Sequence, residues 1–322
     1  MKNNKKKSHG KGLLVGASML AGAFAAFNGV LLYQVMDRRG KLMGKMGEKM
    51  FPIDLDDEGN IKSFGTRTSW VDEAEHEDIT LNNRGLSLKG YYYPADEPTD
   101  VYVFCSHGYR SNGKGEFSGL AKFYHDQGYN VFVVDHQAAG SSEGNNISFG
   151  YFEKQDCMKW LEYMIERFGS DIRIILHGIS MGSATVMMMS DDENLPENVK
   201  LIIADCGYTD VDSQFKNVIH ELKIPASPFI KTTHLFNKLA YKFDYSSIRP
   251  IDNVRNSKVP ILFIHGRDDC FIDPNMAFEL YNACTAPKDL LIVDGADHAQ
   301  SYDTNPELYG NKVKEFIGEH LK

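Results

Sequence analysis

A serine lies between two glycines at the point where a predicted strand meets a predicted helix. The motif Gly178-Ile-Ser180-Met-Gly182 follows the apolar residues 172–176, and residues 183–189 favour a helix. A serine hydroxyl is a poor nucleophile, so catalysis needs it at a sharp turn, exposed to a base, with a helix N-terminus behind it. The motif therefore predicts a nucleophile elbow with Ser180 at its tip. The alternative is a glycine-rich turn that carries a serine by chance.

A carboxylate and a histidine follow at the ends of two later predicted strands. A serine nucleophile needs a base, and the base needs an acid that holds its tautomer and stabilises the imidazolium. Asp269 and His298 each come shortly after an apolar run, and the chain order serine, aspartate, histidine is that of α/β-hydrolases. We therefore predict a catalytic triad of Ser180, Asp269 and His298. Two neighbouring aspartates are alternative candidates for the acid: Asp268 and Asp273.

Two backbone N–H groups have to stabilise the oxyanion that forms when the serine attacks. In α/β-hydrolases the residue after the nucleophile supplies one of them, which here is Met181. The loop after the predicted strand 101–105 supplies the other, and Tyr109 is its natural donor. We therefore expect Tyr109 and Met181 to form the oxyanion hole.

The loop that contains Tyr109 also satisfies most of a phosphate-binding motif, which would imply nucleotide binding. Residues 108–114 read Gly-Tyr-Arg-Ser-Asn-Gly-Lys, but residue 115 is glycine where that motif needs a hydroxyl for Mg²⁺. No paired metal-ligand spacing occurs, and the five cysteines are scattered and odd in number. We therefore expect no cofactor and no metal, with nucleotide binding as an alternative.

Alternating strands and helices are expected to position these residues. Residues 79–93 predict a β-hairpin that turns at residues 82–85. Further strands are predicted at 101–105, 131–135, 172–176, 200–204, 261–265 and 290–293, and helices near 117–127, 152–168, 275–284 and 306–321. This alternation predicts an α/β fold with a mostly parallel sheet, helices on both faces and catalytic groups at the carboxyl ends of the strands. Residues 206–259 predict a small helical cap, or one crossover helix with surface decoration.

Composition and charge exclude one class of binding partner, the nucleic acids. The chain has 322 residues, 42% of them hydrophobic, and a net charge of −9, which suits one large α/β domain with an appendage. Its first 50 residues hold ten Lys/Arg against two Asp/Glu, so the remainder holds 25 against 42. A body this acidic lacks the basic surface that nucleic-acid binding requires, and we expect no nucleic-acid partner.

The N-terminus has the pattern of a membrane anchor. Residues 1–11 form a basic tail, and residues 12–36 carry no charge over 25 residues, which is long enough for a transmembrane helix. We expect a signal anchor at 12–36, a stalk at 37–75, and a hydrolase domain at 76–322 that lies outside the cytoplasm, since a short basic tail is hard to translocate. The alternative is a cleaved signal peptide and a secreted protein.

From about residue 76 onward the chain resembles the α/β-hydrolase superfamily, in particular its bacterial, membrane-anchored serine aminopeptidase S33-like (Hydrolase_4) branch. The resemblance rests on His107-Gly108-Tyr109, the run 135–144, the Ser180 motif, His265-Gly266-x-x-Asp269 and His298. It implies the α/β-hydrolase fold, the triad, and any of several acyl-transfer activities on one scaffold. The chain departs from this family at Gln137, where an arginine is usual, and the change removes a structural cation near the site.

These observations predict a membrane-tethered serine hydrolase that cleaves carboxylic ester-type bonds through an acyl-enzyme intermediate. Its partner would be a small-molecule acyl ester or a peptide. A peptidase that acts on N-terminal residues is one alternative. A non-catalytic binding module tethered to the membrane is another, although it would have no need of three triad groups.

Overall fold

The computed structural model describes residues 68–221 and 226–321, together with residues 26, 29, 30, 32–40, 54–55 and 61–63. Its main sheet consists of Glu77–Asn83 (β1), Leu86–Tyr93 (β2), Val101–Ser106 (β3), Asn130–Asp135 (β4), Arg173–Ile179 (β5), Val199–Asp205 (β6), Ile261–Gly266 (β7) and Lys288–Val293 (β8). The spatial order is β8-β7-β6-β5-β3-β4-β2-β1. Strands β3 to β8 run parallel, and β1 and β2 are antiparallel. A small antiparallel pair joins Asp54–Leu55 to Ile61–Ser63.

Helices of the described chain alternate with these strands. They are Trp70–Glu73 (α1), Gly113–Glu116 (α2), Ser118–Asp126 (α3), Tyr151–Phe168 (α4), Met181–Met189 (α5), Val211–Glu221 (α6), Ala226–Ala240 (α7), Pro250–Val254 (α8), Asn275–Ala283 (α9), Ser301–Thr304 (α10) and Pro306–His320 (α11), with a 3₁₀ turn at Tyr245–Ser247. This arrangement confirms the predicted α/β-hydrolase fold with a mostly parallel sheet. Helices α6, α7 and α8 fall within residues 206–259, where the sequence predicts a helical cap.

The sheet is buried on both faces, which explains the uninterrupted apolar runs of its inner strands. Every residue of β3, β4 and β7 is buried. Helices α3 and α11 pack on one face through Tyr124 and Tyr309, and helices α4 and α5 pack on the other through Trp160 and Val186. Parallel strands need such double coverage, because each crossover helix has to return over a face of the sheet.

The end of the predicted membrane span, residues 12–36, packs on the domain. Among the described residues no helix combines the length and the apolar character that crossing a bilayer requires, and most of the predicted span 12–36 lies outside the described residues. Residues 32–36 are helical, however, and Leu32 and Met36 are buried against the domain. We call the described residues from 29 to 40 the N-terminal strap. Its apolar side chains pack into a hydrophobic cluster of the domain, so the strap lies on the surface of the domain.

The loop after β4 obtains its cation from elsewhere in the chain. Gln137 donates from Nε2 to the Asn146 carbonyl at 2.7 Å, and its Oε1 accepts from Arg84 at 2.7 Å. Arg84 lies in the turn between β1 and β2, and it also pairs with the buried carboxylate of Asp156 at 2.6 Å. Its guanidinium stands 4.5 Å from the centroid of the Phe152 ring. The positive charge that Gln137 removes from the loop is therefore supplied by the hairpin turn.

Replacing Arg84 by methionine should destabilise the domain by about 3 kcal/mol, because it leaves the Asp156 carboxylate buried and unpaired. Urea unfolding followed by circular dichroism would measure the change. The matched control is Arg167→Met, which breaks the more exposed pair of Arg167 with Glu77 and should cost less than about 1 kcal/mol. Equal losses for the two variants would contradict the role given to Arg84.

Candidate active site

Ser180 stands in a strained turn that glycines make possible. It joins β5 to α5 with a φ of 56° and a ψ of −116°, a region that non-glycine residues rarely adopt. A Cβ on Gly178 would lie 2.3 Å from the Gly182 carbonyl oxygen, and a Cβ on Gly182 would lie 1.8 Å from that of Ser106. Neither glycine can be replaced without moving the backbone. The predicted elbow geometry is thus present at the end of β5.

The structure brings Ser180, His298 and Asp269 into one hydrogen-bonded row. His298 Nε2 lies 3.0 Å from Ser180 Oγ, and His298 Nδ1 lies 2.8 Å from Asp269 Oδ2. All three residues are at least nine-tenths buried. An ionised carboxylate can only accept hydrogen bonds, so Nδ1 carries the ring proton and Nε2 is left to accept one from the serine. This is the arrangement that general-base activation of a hydroxyl requires.

Asp269 is held as an anion by four donors. Its Oδ1 accepts from the N–H groups of Phe271 at 2.9 Å and Ile272 at 2.8 Å. Its Oδ2 lies 2.8 Å from His298 and 3.1 Å from His265 Nε2. Burial acts to raise the pKa of Asp269, but His298 and His265 outweigh it and hold the pKa well below its usual range. The acid therefore stays ionised.

The two alternative acids of the sequence analysis lie outside this row. Asp268 and Asp273 are both exposed. Asp273 instead accepts from the Asn275 N–H at 2.9 Å, at the start of α9. Of these three aspartates, all within the described residues, only Asp269 has its carboxylate within hydrogen-bonding distance of the His298 ring.

Two further residues position the triad. His265 is the penultimate residue of β7, and its Nε2 lies 3.1 Å from the Ile272 carbonyl oxygen as well as 3.1 Å from Asp269. Asp297 accepts from the N–H groups of both Cys270 at 3.1 Å and His298 at 2.7 Å, which joins the acid loop to the histidine loop. The sequence contains a signal for each of these two roles. His265 ends the strand predicted at 261–265, four residues before the acid, and Asp297 directly precedes the base.

The loop after β3 lies directly against the nucleophile. A Cβ on Gly108 would be 3.1 Å from Ser180 Cβ. Tyr109 follows, and its ring stacks on Phe149 with 5.1 Å between centroids. Met181 begins α5, so its N–H has no acceptor within the helix. The loop and the helix N-terminus thus both border Ser180, as an oxyanion hole made by Tyr109 and Met181 would require.

The N-terminal strap fixes this loop. The hydroxyl of Tyr109 donates to the Val35 carbonyl at 2.6 Å. Arg110 is buried and donates from Nη2 to the carbonyls of Gln34 and Asp37, each at 2.8 Å, and from Nε to the Tyr109 hydroxyl at 2.9 Å. These carbonyls belong to the end of the strap helix and the turn after it, which attract a cation. Sequence reasoning missed these contacts because they join residues more than 70 positions apart.

A buried carboxyl group supports the loop from the other side. Glu116 accepts from the Gly108 N–H through Oε2, and its Oε1 has no hydrogen-bond partner among the described residues. Burial raises the pKa of Glu116 to about 8. At neutral pH the group is therefore mostly protonated and uncharged beside Ser180. Nothing in the sequence pattern distinguishes this glutamate from a solvated one.

Several polar groups of residues 108–114, the possible phosphate-binding loop, have partners within the protein. The Gly113 N–H donates to Asp135 Oδ1 at 2.8 Å, and Gly108 donates to Glu116. The Lys114 ammonium lies 2.8 Å from His76 Nε2 and 4.3 Å from the centroid of the Tyr91 ring. Two N–H groups of this loop and its lysine are therefore engaged within the protein, which argues against the nucleotide alternative.

One group of potential metal ligands coincides with the triad. Ligand atoms of Cys206, Asp269 and His298 lie within 4.8 Å of one another. Burial raises the pKa of the Cys206 thiol well above its usual value, which disfavours the thiolate that binds metals. The other two residues are already joined by a hydrogen bond. The chemistry of this set fits proton transfer better than metal binding.

Sequence comparisons find relatives over most of the chain. The model of the prolyl oligopeptidase family matches residues 116–322. The chain is 29% identical over 234 residues to the uncharacterized protein YqkD of Bacillus subtilis, covering 72% of this chain and 76% of that protein. It is 21% identical over 301 residues to the alpha/beta hydrolase domain-containing protein 17B of Xenopus laevis, covering 88% and 92% of the two chains.

Solved structures share the fold. The Pyrococcus furiosus esterase Pf2001 matches with a TM-score of 0.63 and 20% identity, over 82% of this chain and 97% of that one. The Pyrococcus horikoshii acylaminoacyl peptidase matches with a TM-score of 0.57 and 19% identity, over 78% of this chain and 43% of that one. These likenesses show the α/β-hydrolase fold. The match to the prolyl oligopeptidase family supports membership of the α/β-hydrolase superfamily.

The Glu116 carboxyl group should make stability depend on pH. Its pKa of about 8 in the folded protein lies above the value of 4.5 for a free glutamate, so its contribution to the free energy of unfolding is complete below pH 4.5 and is lost as pH rises to about 8. The variant Glu116→Gln keeps the shape but cannot ionise. Its stability relative to the wild type should rise by up to about 1.4 kcal/mol per pH unit between pH 4.5 and 8, measured by urea unfolding. A constant difference across that range would refute the buried, protonated state.

Proposed function

The chain belongs to the prolyl oligopeptidase family, and from this premise we propose that it is a serine hydrolase that cleaves carboxylic ester bonds. The observation that carries the proposal is the continuous hydrogen-bonded row from Asp269 through His298 to Ser180. The acid in the row has the protonation state that its role needs, since contacts with two histidines outweigh its burial and hold the pKa of Asp269 well below its usual range.

In the proposed reaction His298 takes the proton of Ser180 as the serine oxygen attacks the ester carbonyl carbon. The oxyanion of the tetrahedral intermediate accepts from the N–H groups of Tyr109 and Met181. His298 then protonates the leaving alkoxide, which leaves an acyl group on Ser180. A water activated by His298 hydrolyses this acyl-enzyme, and Asp269 stabilises the imidazolium in both halves of the reaction.

The surroundings of the row favour an acyl ester over the free N-terminus of a peptide. Phe271 contacts the His298 ring edge-on with 4.9 Å between centroids, and it belongs to an aromatic and aliphatic cluster that includes Phe149. Glu153, a buried acid beside this cluster, accepts from the N–H groups of Ser148 and Gly150, each at 2.9 Å. A carboxylate already satisfied in this way is poorly suited to bind a substrate ammonium. Peptidase activity, including that of the serine aminopeptidase branch, remains the second candidate because of the family.

We propose further that the chain is tethered to a membrane by the uncharged run that begins at residue 12, with the hydrolase domain outside the cytoplasm. The strap packs on the domain from residue 29 onward, where a Cβ on Gly29 would lie 3.9 Å from the Phe236 ring, so a span would have to end by residue 28. Residues 12–28 would extend about 26 Å as a helix, and about 17 residues is the shortest helix that crosses a bilayer. Secretion after cleavage is the competing outcome.

The proposed activity can be tested by labelling the full chain with a fluorophosphonate beside a Ser180→Ala variant. The same samples are then assayed with p-nitrophenyl esters of increasing chain length and with aminoacyl p-nitroanilides. We expect labelling and ester turnover in the wild type, and loss of both in Ser180→Ala, with kcat lower by several orders of magnitude. The full chain is needed because removal of residues 32–40 would take away the acceptors of Arg110.

Each outcome of this assay bears on a named alternative. If the protein is labelled and turns over anilides but not esters, the assignment as an ester hydrolase is wrong and the peptidase assignment is correct. A folded wild-type protein that neither labels nor turns over any substrate would refute catalysis and favour a non-catalytic binding module.

Arg110 should affect turnover through the position of Tyr109. We expect Arg110→Met to lower kcat about tenfold with little change in KM, because a displaced donor loses part of the hundredfold or greater effect of an oxyanion contact. The control is Arg173→Met, which removes the exposed pair of Arg173 with Asp100 and should leave kcat unchanged. Thermal unfolding of each variant separates lost turnover from lost fold. An unchanged kcat in a folded Arg110→Met would refute the positioning role.

A further inference from the structure

Exposed apolar side chains gather on one part of the described surface. Leu235 and Leu239 of α7 are 58% and 62% exposed, and Val30 and Tyr33 of the N-terminal strap are 59% and 39% exposed. Large hydrophobic side chains this exposed number only six in the described residues, and four of them are these. We call these four residues the apolar patch.

The strap and α7, which carry the four patch residues, lie side by side. A Cβ on Gly29 would be 3.9 Å from the ring of Phe236. The buried strap residues Leu32 and Met36 belong to the same hydrophobic cluster as Phe236 and Tyr241. The strap and α7 thus each pack one side against this cluster. Their exposed residues lie on the opposite, solvent-facing side. Leu235 and Leu239 are one helical turn apart, so they project in the same direction.

The charges around the patch are positive although the chain as a whole is negative. Residues 226–243 include no aspartate or glutamate, and their three lysines, Lys231, Lys238 and Lys242, are all exposed. The acids that the contacts identify near the patch are Asp37, Asp212 and Asp244. Asp37 of the strap is paired with Arg39 at 2.6 Å. Asp212 and Asp244 face His234, at 2.7 and 3.4 Å, and Asp244 also lies 4.0 Å from Lys238. Exposed leucines among exposed lysines form an amphipathic surface in a chain of net charge −9.

We propose that the apolar patch and the three lysines of residues 226–243 dock on the surface of an anionic lipid bilayer. Leucine side chains bury themselves at the boundary between headgroups and acyl chains, and lysines extend their ammonium groups to lipid phosphates. The uncharged run of residues 12–28 leads directly into the strap, so a span in that run would leave the bilayer beside α7. Docking would then be a second membrane contact, in addition to the span, and it does not depend on hydrolytic activity.

Depth-dependent fluorescence quenching tests this docking. The full chain carrying Leu239→Trp is reconstituted in vesicles of brominated phosphatidylcholine, with or without phosphatidylglycerol. The matched control is Leu308→Trp, which alters an exposed leucine of α11. Wild-type protein gives the background of Trp70 and Trp160, and thermal unfolding checks that each variant folds.

We expect the added tryptophan at 239 to be quenched at least about twofold more than that at 308, and more strongly when phosphatidylglycerol is present. The lysine triple variant Lys231→Glu, Lys238→Glu, Lys242→Glu should abolish the effect of phosphatidylglycerol. Equal quenching at the two positions, or no dependence on phosphatidylglycerol, would overturn the proposal. A concentration-dependent blue shift of the tryptophan at 239 without lipid would also overturn it, because it would assign the patch to contact between two copies of the chain.

Discussion

The site depends on keeping one negative charge, that of Asp269, inside the protein. A buried carboxylate is costly unless donors surround it, and here two backbone N–H groups and two histidine rings do so. The loop after β7 must therefore adopt one conformation, in which Phe271 and Ile272 turn their N–H groups toward Oδ1. Once the carboxylate is fixed, the Nδ1 proton of His298 has a fixed acceptor, and Nε2 faces Ser180. The direction of proton transfer follows from the position of this anion.

The parallel sheet makes this convergence possible. Ser180, Asp269 and His298 follow β5, β7 and β8, strands that all end at the same edge. Strand β6 lies between them and supplies support instead of a reacting group. The Asp205 carbonyl accepts from the Ser180 N–H at 2.9 Å, and its side chain accepts from the Tyr309 hydroxyl at 2.9 Å. The elbow is thus tied to the neighbouring strand and, through that strand, to a helix packed on the sheet.

Local patterns in the sequence predicted the sheet and the residues at its carboxyl edge, because strand periodicity and the order of Ser180, Asp269 and His298 are properties of short segments. They did not predict the partners that come from distant segments, namely Arg84 for Gln137 and the strap for Arg110. The strap shows the physical reason. An uncharged run has the same composition whether it faces lipid or a protein cluster, so nothing in residues 12–36 marks Leu32 and Met36 as part of the domain.

The loop after β3 is held by contacts of a different kind from those that join Asp269, His298 and Ser180. Arg110 has no carboxylate partner in its described contacts and is satisfied by main-chain carbonyls of the strap, so its position depends on where the strap lies. The Tyr109 hydroxyl is hydrogen-bonded to the same segment, at the Val35 carbonyl. A change that displaces the strap must therefore also change the free energy of the loop that carries Tyr109 and Arg110. By the same linkage, a change in the loop alters the free energy of the strap. The strap is for this reason part of the catalytic domain, whatever precedes it in the chain.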